Sequence, residues 1–160
     1  MRDTMKTYSD IREALPNLPD ASKVSYTGVV LFKKSHEDLV AAMREHIPEG
    51  WKIVAHHMTI KMGALKPTDT HLSRGGRKDI GMTVGLKVEG WAIDDRTLTV
   101  KVSGQKSVNP HPHITVAVNV TGGGKPKDSN LHNKWNPMGR TLTLTGRIME
   151  ALHNETVPLQ

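Results

Sequence analysis

The most constraining stretch of the chain is residues 82–102, where apolar and polar side chains alternate with a period of two. Met82, Val84, Leu86, Val88 and Ala92 share one parity, while Thr83, Lys87 and Glu89 take the other. After Asp94 and Asp95 the alternation resumes, with Leu98, Val100 and Val102 set against Thr97, Thr99 and Lys101. Successive side chains of a strand point to opposite faces, so the pattern predicts an antiparallel hairpin with one buried and one solvated face. That hairpin argues for an α+β fold rather than a doubly wound parallel sheet.

The other predicted elements fit the same class. Residues 24–32 are rich in β-branched and aromatic side chains and read as a strand. Leu39, Val40, Met43 and Ile47 recur at helical spacing, and Pro48-Glu49-Gly50 ends that helix. Ser35 stands three residues before Asp38, a variant of the capping box. Further strands are expected around residues 57–62 and 114–120 and from Thr141 onward, with Leu142 and Leu144 inward. Short helices are expected at residues 9–15, stopped by Pro16 and Pro19, and at residues 129–135. Residues 63–79 form a long polar loop carrying Lys66, Arg74, Arg77 and Lys78, either solvated or closing over an anionic ligand. The expected organisation is an N-terminal lead-in over residues 1–22, one domain over residues 23–152, and a fraying tail over residues 153–160.

Composition narrows the classes. A chain of 160 residues is long enough for one sizeable core and would bury roughly 70% of its unfolded surface. It has no cysteine, which excludes disulfides, thiolate nucleophiles and cysteine-held metals. No apolar h-region follows Met1, and no apolar run approaches the ~20 residues that cross a bilayer, so a cytoplasmic location without membrane partners is expected. Twenty-two basic and 16 acidic residues give a net charge of +6, a mild field that suits solubility or an anionic ligand.

Two tetrapeptides repeat one chemical pattern: His57-Met58-Thr59-Ile60 and His113-Ile114-Thr115-Val116. Within a strand, His57 and Thr59 share a face, as do His113 and Thr115, while the intervening apolar residues point into the core. Paired imidazoles can act as base and acid, and threonine hydroxyls can hold phosphoryl oxygens, without a metal or other cofactor. Tyr26 offers a ring to a base or ribose or packs at an edge. Lys125 and Lys127, after Gly122-Gly123-Gly124, offer point charges to a phosphate, although the stretch does not fit a P-loop. His111 and His113, joined by His56 or His57, lack the further ligand at suitable spacing that a metal site requires. Trp51, Trp91 and Trp135 read as packing residues.

On the two His-x-Thr tetrapeptides, the chain resembles the 2H phosphoesterase superfamily, in particular small RNA-repair-like, phage and bacterial members. The resemblance implies two α+β lobes, with antiparallel sheets and peripheral helices related by a pseudo-twofold axis, each supplying one motif to a concave surface. It implies a hydrolase, a metal-independent phosphodiesterase acting on 2′,3′-cyclic RNA ends or on small cyclic or 2′–5′ oligonucleotides. His57 and His113 would be the acid–base pair, and Thr59 and Thr115 would hold the phosphate. The expected partner is an RNA end or a small nucleotide, with no obligate protein partner. Two rival readings keep the cleft without turnover, as a nucleotide- or RNA-binding module, or give the chain a structural role.

Overall fold

The computed structural model describes residues 18–160. The helix expected at residues 9–15 lies outside the described residues, as does most of the lead-in. Eight strands follow in order: β1 Val24–Leu31, β2 Lys52–Ile53, β3 His57–Met62, β4 Thr83–Ile93, β5 Thr97–Ser103, β6 His113–Val118, β7 Asn136–Pro137 and β8 Thr143–Leu152. The one α-helix among the described residues, α1, spans Lys33–Met43 and runs on into a 3₁₀ turn at Arg44–His46.

All strand pairs are antiparallel, and neighbours run β6-β3-β1-β8-β4-β5, with β5 pairing back onto β6. The result is a closed six-stranded barrel, with β2 added beside β6 and β7 beside β4. Closure pairs these six described strands on both sides and so avoids the long open edge that is the usual hazard of a sheet. The interior follows from the pairings. Val29 opposes Met58 and Ile148, Met58 opposes Ile114, Ile114 opposes Val100, Val88 opposes Val102, and Leu86 opposes Leu144. All of these are buried, and they belong to one core that also takes Leu39, Val40 and Met43 from α1.

This architecture overturns the two-lobed, pseudo-twofold expectation. The β4–β5 hairpin does not build a second lobe. Its apolar stripe closes over the core that the motif strands β3 and β6 also bury, because β5 returns to β6 (Val100 opposite Ile114) and β8 bridges β1 and β4. One core replaces two, and the resemblance to 2H phosphoesterases fails at the level of architecture.

Smaller corrections have local causes. Thr97 and Thr99, expected in water, are fully buried, because a 3₁₀ segment at Pro126–Leu131 covers the outer face of β5. That segment replaces the helix expected at residues 129–135. Ser35 does not cap α1, whose N-cap is Phe32. Its hydroxyl instead accepts from the Thr145 N–H at 2.8 Å and lies 3.2 Å from the Thr145 hydroxyl. The polar loop of residues 63–79 is anchored by buried Leu65 and Leu72, by a Lys61–Asp69 ion pair at 2.8 Å and by Arg77 gripping the buried Glu150 carboxylate through two 2.7 Å bonds. The end of the chain is docked as well. The Gln160 N–H donates to the Leu31 carbonyl, its carbonyl accepts from Lys33, and Leu159 packs on the core.

Candidate functional site

The β3–β6 pairing decides where the two motifs meet. Met58 lies opposite Ile114, and both point into the barrel. Alternation along each strand therefore sets His57, Thr59, His113 and Thr115 on the outer face. The antiparallel register carries His57 toward Thr115 and Thr59 toward His113. An interruption at Ala55, which takes a left-handed φ of 44°, lets β2 and β3 run along the same edge of β6.

These four residues line one pocket of about 590 Å³ together with Tyr26 and Lys127. Lys52 and Asn109 join its wall, Asn130 comes from the 3₁₀ segment, and the docked tail adds Glu155 and Thr156. Lys125 does not line it; its backbone N–H donates to the Asp128 carboxylate at 2.8 Å, starting the 3₁₀ segment. Tyr26 reaches the site from β1 and stacks on His57, with centroids 4.5 Å apart and planes 19° apart. Gly28 makes room for this arrangement. A Cβ at that position would stand 2.7 Å from the Met58 carbonyl oxygen and 3.4 Å from His57 Cδ2.

The two imidazoles are held from behind in different ways. His57 Nδ1 lies 2.9 Å from His56 Nδ1, and His56 Nε2 lies 2.5 Å from the Val157 carbonyl oxygen on the tail. His113 Nδ1 lies 2.7 Å from the His111 carbonyl oxygen. Burial, reinforced by the nearby His56 and His113 rings, pushes the His57 imidazole down to about 3. Burial also lowers His113, against the opposing effect of its bonds to His111 and Asn130. Burial raises the Tyr26 phenol, which stays protonated across the ordinary range.

The threonines differ as sharply. No described residue bonds the Thr59 hydroxyl, whereas Thr115 begins a buried chain. Its Oγ1 lies 2.7 Å from Ser129 Oγ, which lies 2.7 Å from Thr99 Oγ1. Thr99 donates to Thr97 at 3.5 Å, and Thr97 Oγ1 lies 2.8 Å from His132 Nε2, with an Asp94 carboxylate oxygen 3.8 Å from the same nitrogen. Ser129, His132 and the buried threonines were not singled out from the sequence, where each reads as an ordinary polar residue. The parity of Thr97 and Thr99 with Lys101 was the nearest signal, and it pointed to solvent. His56 follows His57 and faces the other way in a regular strand, so only the backbone break at Ala55 explains its contact.

This environment removes the basis for the phosphodiesterase expectation. Two-histidine catalysis needs an imidazolium acid beside an imidazole base at the same pH. Here both rings are driven toward the neutral form, in a barrel rather than between two lobes. The hydrolase assignment and its RNA-repair and phage associations fall with it. Among the described residues no group of three His, Asp or Glu side chains is arranged to hold a metal ion, and no helix is long and apolar enough to cross a membrane. No protein-family model matches the sequence, and no curated protein matches it either.

Proposed function

We propose that the outer-face pocket binds a small nucleotide or a ribonucleotide end and holds it without cleaving it. The observation that carries this reading is the conjunction, in one concavity of about 590 Å³, of a stacked Tyr26–His57 pair with the lysines Lys52 and Lys127. That volume lies in the range of small-molecule sites, roughly 300–1,000 Å³. Aromatic faces accept any base by stacking, and lysines act as point charges for phosphate. The net charge of +6 adds a field that favours an anion. Neutral imidazoles, a Thr59 hydroxyl without a partner among the described residues, and the Asn109 and Asn130 amides offer hydrogen bonds for recognition rather than a proton-transfer pair.

The test is a titration of the full chain with adenosine 5′-monophosphate and with a short RNA, followed by NMR and by chromatography of the ligand. The expected result is saturable shifts at Tyr26, His57, His113 and Lys127 with the nucleotide recovered intact. Shifts confined to other surfaces, or none at millimolar ligand, would overturn the reading.

A further inference from the structure

The polarity of the pocket's hydrogen bonds follows from counting protons behind it. The Val157 carbonyl only accepts, so its contact places a proton on His56 Nε2. In neutral His56 the other nitrogen, Nδ1, is then bare, and the 2.9 Å contact puts a proton on His57 Nδ1. The His111 carbonyl likewise places a proton on His113 Nδ1. A neutral imidazole carries one ring proton, so His57 and His113 both keep a lone pair on Nε2. His57 Nε2 has no hydrogen-bond partner among the described residues and is not sealed from solvent, whereas His113, with Nδ1 on the His111 carbonyl, turns its other nitrogen to the Asn130 side chain, which a ligand hydroxyl would share or displace.

Thr115 reaches the same state by another route. Each hydroxyl has one proton to give, and Thr99 gives its own to Thr97. Ser129 therefore donates to Thr99 and Thr115 donates to Ser129. If the chain runs the other way, the Thr115 proton goes to the Pro126 carbonyl, 3.3 Å away. In both directions the protein takes the proton of Thr115 and leaves its oxygen to accept.

We propose that His57 Nε2, His113 Nε2 and Thr115 Oγ1 form an acceptor array that takes the hydroxyl groups of a ribose, with the nucleotide's phosphate turned outward to Lys52 and Lys127. The inference rests on the nucleotide reading and gives it an orientation opposite to the one the motif resemblance implies. A phosphate oxygen at this array would meet lone pairs, whereas a ribose diol brings two protons to them. The Thr59 hydroxyl and the Tyr26 phenol, whose oxygen makes only a long 3.5 Å contact with His57 Nδ1, then serve the sugar oxygens' own lone pairs.

Nitrogen NMR of the full chain with isotope-labelled histidine, at about pH 8 where an ordinary imidazole is neutral, reads the array without any ligand. The expected result is an Nδ1–H tautomer at both His57 and His113, and an Nε2–H at either ring would overturn the array. The same samples are then titrated with adenosine, 2′,3′-dideoxyadenosine and inorganic phosphate. Adenosine should shift both Nε2 signals, the dideoxy analogue should bind at least about tenfold more weakly, and phosphate should leave both signals in place. Equal binding of the two nucleosides would overturn the ribose orientation. Correct tautomers with no response to any nucleotide would overturn the nucleotide reading and the orientation together, whereas wrong tautomers with adenosine 5′-monophosphate bound would overturn the array alone.

Discussion

The two His-x-Thr strands are chemically matched and structurally unequal. On β3, the histidine is held by another side chain, His56, which in turn depends on the carbonyl of Val157 in the C-terminal segment. On β6, the histidine is held by the carbonyl of His111, two residues away. The threonines reverse this contrast: the Thr59 hydroxyl has no partner among the described residues, and Thr115 is tied through Ser129 and Thr99 to the far side of the hairpin. Strand β6 thus has one residue fixed locally and one through a distant partner, whereas on β3 only the histidine is held. A repeated motif sets the residue types and their common face, while the second layer behind the strand decides which protons are available.

The largest expected effect should strike both strands at once. Met58 is fully buried at the residue pair that joins them, so Met58→Ala should cost about 2–5 kcal/mol of stability in urea denaturation. Losing the shapes of both imidazole environments together would follow. Gly28→Ala should separate the strands instead. Its Cβ would crowd the Met58 carbonyl and approach His57, costing about 1–3 kcal/mol and shifting the His57 ring signals while those of His113 stay in place.

Acid provides a graded comparison. Both rings titrate lower in the folded protein than the ordinary 6.5, so below that value the unfolded chain binds protons that the native state refuses. Stability should therefore fall as pH drops from about 6.5 toward about 3, by about 1.4 kcal/mol per pH unit for each histidine that stays neutral. Denaturation of wild type and His57→Gln across that window should show a shallower slope in the variant, by one proton's worth. An unchanged slope would place the resistance to protonation elsewhere.

Two milder substitutions address one side each. Ser129→Ala removes the shared partner of Thr115 and Thr99 and should cost about 1 kcal/mol. Its effect on ring nitrogens should stop short of His57. His56→Gln should cost about 0.5 kcal/mol, with faster hydrogen exchange in the docked tail and a changed tautomer at His57 alone. Equal perturbation of His113 would break the distinction between the strands.

Parts of this were legible in the sequence because local physics decides them. The alternation at residues 82–102 predicted β4 and β5, the helical spacing of Leu39, Val40 and Met43 predicted α1, and the parity of each tetrapeptide set its histidine and threonine on one face. The tetrapeptides are also adjacent in space, in a pocket with Tyr26 and Lys127, while Lys125 stands outside it. Thr97 and Thr99 show where parity stops being informative. Period two tells which face a side chain takes, and it cannot tell that residues 126–131 will cover that face.

The sequence by itself determined the strand periodicities, the single good helix, the absence of thiol chemistry and the polar faces of the two motifs. These depend on side-chain sequence within a few residues. Only the tertiary structure decided that β5 returns to β6 to close one barrel, that the tail docks beside His56, and that burial lowers both imidazoles from the ordinary histidine value. Strand partners are chosen by the burial of a shared core among segments far apart in the chain. A histidine's charge is set by the solvent it loses when those segments meet.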